Sequence, residues 1–99
     1  MPNGDDHMFF KLCSDRLSIE AIPKRHLRID FVKTRQYFEK NYRFLMWTPH
    51  FVVIRNVDRN EEITLRKDGR MIIRKAASEE NAHLAAKELM SFLRSVEKS

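Results

Sequence analysis

Within residues 63 to 96 the apolar pattern changes period, and this change restricts the fold more than any other feature of the chain. Ile63–Lys67 and Arg70–Lys75 are short β-rich runs flanking Asp68-Gly69, where glycine accepts a positive φ without steric cost, so an antiparallel hairpin is predicted. Ala82, Ala85, Ala86, Leu89, Leu93 and Val96 then recur at helical spacing and form one stripe. Ser78 precedes this stripe as an N-cap, and Glu79 and Glu80 face the positive end of the helix dipole. A hairpin followed by a one-sided helix has to bury that stripe on the sheet, and the small alanines permit close approach near the helix start. The fold class that follows is α+β: an antiparallel sheet with one internal helix and a C-terminal helix packed on one face.

The rest of the chain supplies the other strands and the internal helix. Met8–Cys13 is a short apolar run compatible with a strand. Leu17, Ile19 and Ala21 alternate with Ser18, Glu20 and Ile22 at strand period until Pro23 and Lys24 break the run. Leu27, Ile29 and Phe31 alternate again, either as the second strand of a hairpin or as a loop leading into a helix. Phe38, Tyr42 and Leu45 follow helical spacing, so a helix is predicted from Lys33 to about Leu45, ending before Pro49. Phe51–Val57 reads as a strand and residues 58 to 62, DRNEE, as a polar turn. With 99 residues, the chain is read as a single domain over residues 8–99 preceded by a disordered tail, residues 1–7.

Charge is unevenly spread. Nineteen Lys and Arg against 14 Asp and Glu give a formal net charge of +5, a sign that favours polyanions or acidic surfaces as partners. Residues 16 to 43 carry eight basic and three acidic side chains, and residues 63 to 77 carry five and one, so the excess lies where strands and the internal helix are expected. Cys13 is the only cysteine, which excludes an intrachain disulfide and a cysteine-based zinc site and points to a reducing, cytoplasmic setting. The longest apolar runs, Phe44–Trp47 and Phe51–Ile54, are far too short to span a membrane, and the opening MPNGDDH lacks the basic start and apolar core of a signal peptide. A soluble protein with no membrane partner is expected.

The segment Ile63–Leu89, ITLRKDGRMIIRKAASEENAHLAAKEL, resembles the repeat of the TATA-box-binding protein, in which a strand, an S/D-G-K/R turn, a second strand and a helix opening SEE follow in the same order. The resemblance extends back over about 70 residues: TPHF (48–51) matches the proline and strand-opening phenylalanine of that repeat, and IDFVKT (29–34) looks like the start of its first helix. The family carries two such repeats forming a saddle whose sheet grips the minor groove. A chain of this length holds one, so the resemblance implies a homodimer as the way to rebuild a two-fold saddle.

Carried over residue by residue, the resemblance places Phe51 at the first wedge position and Arg66 at the second, where the family has phenylalanine. It also places Thr64, Arg70, Ile72 and Arg74 on the nucleic-acid-facing side, and Lys75 follows Arg74 as a further cation. Wedging requires apolar side chains that unstack a base step, so an arginine at the second position removes half of the device. Phosphate contacts without base readout are expected instead. A two-residue Asp68-Gly69 loop would put Arg66 and Met71 on one face. The family pattern groups Arg66 with Ile72 and Arg74 and sends Ile63, Leu65, Met71 and Ile73 inward, which requires an odd loop or a bulge at Gly69; this version is preferred because it buries the four apolar residues together.

A weaker likeness is to the double-stranded RNA-binding domain, which shares the order helix, three strands, helix. That domain usually opens its last helix with lysines, where this chain has Glu79 and Glu80, and the two carboxylates also make the helix start a poor phosphate cradle. His7, His26, His50 and His83 are too scattered to suggest metal ligands, His83 reads as a solvated residue on the polar face of the last helix, and neither a glycine-rich phosphate loop nor a nucleophile elbow is present. Glu61-Glu62 falls in a turn, and Phe44–Trp47 reads as core or interface.

No catalytic residues, cofactor or metal are therefore expected. The sequence predicts a non-enzymatic module that binds DNA or RNA, or associates with it, through Phe51, Thr64, Arg66, Arg70, Ile72, Arg74 and Lys75, and that pairs with itself. The alternative is a domain that binds another protein and keeps the fold without nucleic-acid binding.

Overall fold

Asp30 decides where the first helix begins. Its carboxylate accepts hydrogen bonds from the amides of Val32 (3.0 Å) and Lys33 (3.3 Å), satisfying two of the donors left open at a helix start. In the computed structural model, which describes residues 8–12, 18–25 and 27–97, the helix α1 accordingly spans Phe31–Asn41. The remaining elements are β1 (Met8–Leu12), β2 (Ser18–Pro23), β3 (Tyr42–Trp47), β4 (Phe51–Asn56), β5 (Glu62–Arg66), β6 (Met71–Arg74) and α2 (Glu79–Glu97). All six strands form one antiparallel sheet in the order β1-β2-β6-β5-β4-β3. The expected tail, residues 1–7, lies outside the described residues, as do Cys13, Leu17 and His26.

The fold class predicted from the sequence is the one observed, with one correction. The internal helix does not continue to Leu45: it ends at Asn41, and Tyr42, already extended at φ −138° and ψ 154°, starts β3 with no intervening loop. The register of β3 on β4 shifts between Phe44 and Met46, a β-bulge at Leu45. Tyr42 and Phe44 face the helices and Trp47 does so again after the bulge. The strand period is thereby interrupted, and Tyr42 and Leu45 fall at a spacing that imitates a helix. Residues 27 to 30 form no strand; Leu27 and Ile29 donate backbone hydrogen bonds to the carbonyls of Asp68 (2.9 Å) and Lys67 (3.1 Å), laying the approach to α1 along the β5–β6 loop.

That loop has three residues, Lys67–Gly69. Arg66 N–H donates to the Arg70 carbonyl (2.9 Å), Gly69 N–H donates to the Arg66 carbonyl (3.0 Å), and Gly69 sits at φ +98°. This is a turn followed by a glycine bulge, and it pairs Leu65 with Met71 and Ile63 with Ile73. All four are buried to within 1% exposure, which explains why the odd loop prevails over the two-residue alternative.

Both helices cover the same face. Ala82, Ala85, Ala86, Leu89 and Leu93 of α2 are buried together with Ile19, Ala21, Val52, Ile54, Ile63, Leu65, Met71 and Ile73 of the strands. Ser78 caps α2 by accepting from the Asn81 amide (3.0 Å). Tyr37 of α1 stacks on Phe92 of α2 with ring centroids 3.6 Å apart, and Phe38 of α1 meets Trp47 of β3 edge-on at 6.2 Å. Arg35 lays its guanidinium over Phe44 (5.2 Å) and Trp47 (5.0 Å). At the opposite end, Arg59 bridges the buried Glu61 and Glu88 of α2, each at 2.9 Å, tying the β4–β5 turn to the helix layer. Among the described residues no helix lies on the other face of the sheet.

Candidate functional site

Strand alternation determines which side chains reach the open face. Because Leu65, Met71 and Ile73 point to the helices, their neighbours Thr64, Arg66, Arg70, Ile72 and Arg74 point away, and Phe51 does so opposite Arg66 on β4. Lys75 adopts a left-handed backbone (φ 62°) just after β6 and places its ammonium 3.1 Å from Glu62, also on this face. The structure thus brings Phe51, Thr64, Arg66, Arg70, Ile72, Arg74 and Lys75 onto one surface.

The register organises that surface into three rows across the strands. Along the edge near the β5–β6 loop run Phe9, Ile22, Arg70, Arg66 and Phe51. A central row consists of Lys11, Glu20, Ile72, Thr64, Val53 and Met46. Along the far edge run Ser18, Arg74, Glu62, Arg55 and Arg43, with Lys75 beside them. Successive rows are two residues apart along each strand, about 7 Å, except on β3, where the bulge sets Arg43 and Met46 three positions apart. Four of the six central residues are apolar or short, and the other two, Lys11 and Glu20, are opposite in charge and directly paired in register, whereas both edge rows are basic.

Among the described residues, the strands and Lys75 place seven cations, Lys11, Arg43, Arg55, Arg66, Arg70, Arg74 and Lys75, on this face against two carboxylates, Glu20 and Glu62. Lys24 adds a further cation beside Phe9. Glu62 accepts from Arg55 (3.0 Å) and from Lys75 (3.1 Å), and Glu20 lies 3.5 Å from Arg70. The Arg55 hydrogen bond, working against burial and aided by Lys75, holds the Glu62 carboxyl below the usual glutamate range. Arg66 and Arg74 have no ion-pair partner among the described residues, so they present uncompensated charge.

Sequence reasoning missed the residues that complete this surface: Phe9 and Lys11 on β1, Glu20 and Ile22 on β2, Arg43 and Met46 on β3, and Val53 and Arg55 on β4. Period-2 alternation could have found those on β4, but for β1 and β3 the strand neighbours had to be known first. Phe44–Trp47 divides between two environments: Phe44 and Trp47 pack on the core, while Leu45 (41%) and Met46 (52%) are exposed.

Other features are chemically plain. His83 is not the solvated residue its position on the helix implied. It is half-buried and stacks under Phe10 with centroids 4.1 Å apart, because Phe10 of β1 reaches across the flank of α2. Glu61 and Glu62 face opposite sides of the sheet and form no carboxylate pair. A groove of about 700 Å³ lies between residues 27–32, the β3–β4 turn and the β5–β6 loop. Its two carboxylates are turned to backbone amides, Asp30 to Val32 and Lys33 and Asp68 to Arg70. Among the described residues no group of three or more His, Cys, Asp or Glu could hold a metal ion, and no helix is long and apolar enough to cross a membrane. Comparisons with protein-family models, with curated proteins and with solved structures find no match.

Proposed function

We propose that this protein binds nucleic acid through the open face of its sheet and performs no catalysis. The observation that carries the reading is the arrangement of charge: two basic rows flank a less polar one, and among the described residues of the strands cations on this face far outnumber its two carboxylates, Glu20 and Glu62. A polyanion spreads negative charge over a comparable width, and each phosphate neutralised releases condensed counterions, so such a surface binds most strongly at low salt. The order β5, turn, β6, α2, which resembles the repeat of the TATA-box-binding protein, supports the same reading. The arginine at the second wedge position argues for contact with the backbone rather than insertion into a duplex. The setting we propose is intracellular, and a homodimer would double the basic area without any new kind of contact.

The test is a binding isotherm for single-stranded and duplex DNA of one sequence, measured at several salt concentrations with the native chain and with Arg66→Glu/Arg74→Glu. Affinity should fall linearly with salt on logarithmic axes, and the double variant should bind more weakly with a slope reduced by about 1 to 2. Absence of binding at low salt, or binding indifferent to both salt and charge reversal, would rule the reading out. A second reading, docking of a protein, is favoured by one observation, the exposed Leu45 and Met46 at the β3 end of the central row. It predicts that Leu45→Ser/Met46→Ser, and not the arginine variant, removes partner binding.

A further inference from the structure

Resting on the reading above, we infer that the ligand is a single strand, laid across the strands along the edge row and stacking bases on Phe9 and Phe51. Phe9 and Phe51 stand at the two ends of that row, four strand spacings or about 19 Å apart, with Ile22, Arg70 and Arg66 between them. Phe9 is 57% exposed on β1, an unusual position for a phenylalanine in a sheet, and the Lys24 ammonium lies 5.1 Å from its ring centroid. Each aromatic platform therefore has a cation beside it: Lys24 at Phe9, and Arg66, paired directly across from Phe51, at the other end. Rings at the two ends of the row, with Arg70 and Arg66 between them, offer an unpaired strand faces for its bases and cations for its phosphates.

A duplex uses such a row poorly. Its bases are already stacked, so an aromatic face gains a partner only by prising a step open, which requires apolar wedges in concert. Arg66 occupies the place where a second wedge would stand beside Phe51, and a guanidinium does not unstack a step. Bases of a single strand are free to stack on Phe9 and Phe51 at no such cost, and every base offers a face, so the preference is for strandedness and not for sequence.

The experiment is fluorescence anisotropy with a labelled oligothymidine of roughly ten nucleotides, a span covering the usual site sizes for such surfaces, and with a hairpin duplex of similar charge. Both are measured with the native chain, Phe9→Ala and Phe9→Trp, each checked by thermal melting. Phe9 is exposed, so neither substitution should lower the melting temperature. The single strand should bind more tightly than the hairpin. Phe9→Ala should weaken the single strand by about 5- to 100-fold with its salt slope unchanged, Phe9→Trp should retain binding, and the hairpin should be indifferent to both. Equal or tighter binding of the hairpin, or a Phe9→Ala variant that binds the single strand like the native chain, overturns this inference and leaves the sheet face as a general polyanion surface. Failure of both probes to bind at low salt overturns this inference and the proposed function together.

Discussion

At the scale of single residues, Gly69 shows how one backbone angle arranges a surface. Its φ of +98° lets the β5–β6 loop hold three residues, and that odd number is what turns Arg66, Ile72 and Arg74 to one side and Leu65, Met71 and Ile73 to the other. A Cβ at this position would also stand 2.9 Å from Leu27 Cδ1 and 3.2 Å from Pro23 Cγ. Gly69→Ala should therefore destabilise the protein by about 1–3 kcal/mol in chemical unfolding, combining the left-handed penalty with the contact. An unchanged midpoint would mean that the loop readily adopts another shape. Asp68-Gly69 marked this turn in the sequence, but its length was decided by the burial of four apolar side chains. Asp30 is the converse case: an aspartate before an apolar residue is a legible cap, yet the alternation of Leu27, Ile29 and Phe31 drew it into a strand pattern.

At the scale of elements, α2 was the most legible part of the chain. Its cap, its acidic first turn and its alanine stripe agree with one another, and the structure buries Ala82, Ala85 and Ala86 at 2% exposure or less. Such close packing leaves no space for a larger side chain, so Ala86→Leu should cost about 1–3 kcal/mol and lower Tm by several degrees, whereas Leu84→Ala, at a half-exposed position, should change stability by less than about 0.5 kcal/mol. Equal effects from the two would show that the stripe does not set the helix–sheet distance. The boundary of α1 and β3 was not legible, since the bulge at Leu45 disguises a strand as a continuing helix and the capped turn that usually separates two elements is missing. Periodicity identifies an element only while its register is unbroken.

At the scale of the molecule, the sheet holds its positive face together through Glu62, which meets Arg55 of the neighbouring strand and Lys75 beyond β6. Because the Glu62 carboxyl is held below its ordinary range in the folded chain, its ion pairs contribute stability that is complete above the unfolded glutamate value, about 4.3, and is lost as pH falls through the lowered folded value. Thermal melts of the native chain and Glu62→Gln should differ at neutral pH, by roughly 0.5–1 kcal/mol for pairs whose basic partners are partly exposed, and the gap should close as pH drops below about 4. A gap independent of pH would show that these pairs do not stabilise the fold. By itself the sequence determined the α+β class, the β5–β6 hairpin, the capped helix with its buried stripe and the sign of the charge, because each depends on residues close in the chain. Only the tertiary structure decided that β1 pairs with β2 and that Phe9 joins Phe51, Arg66 and Arg70 in one row. Strand order and register are set by which apolar faces must share a single core, and residues 42 positions apart come to lie in one row of a surface only once that core is closed.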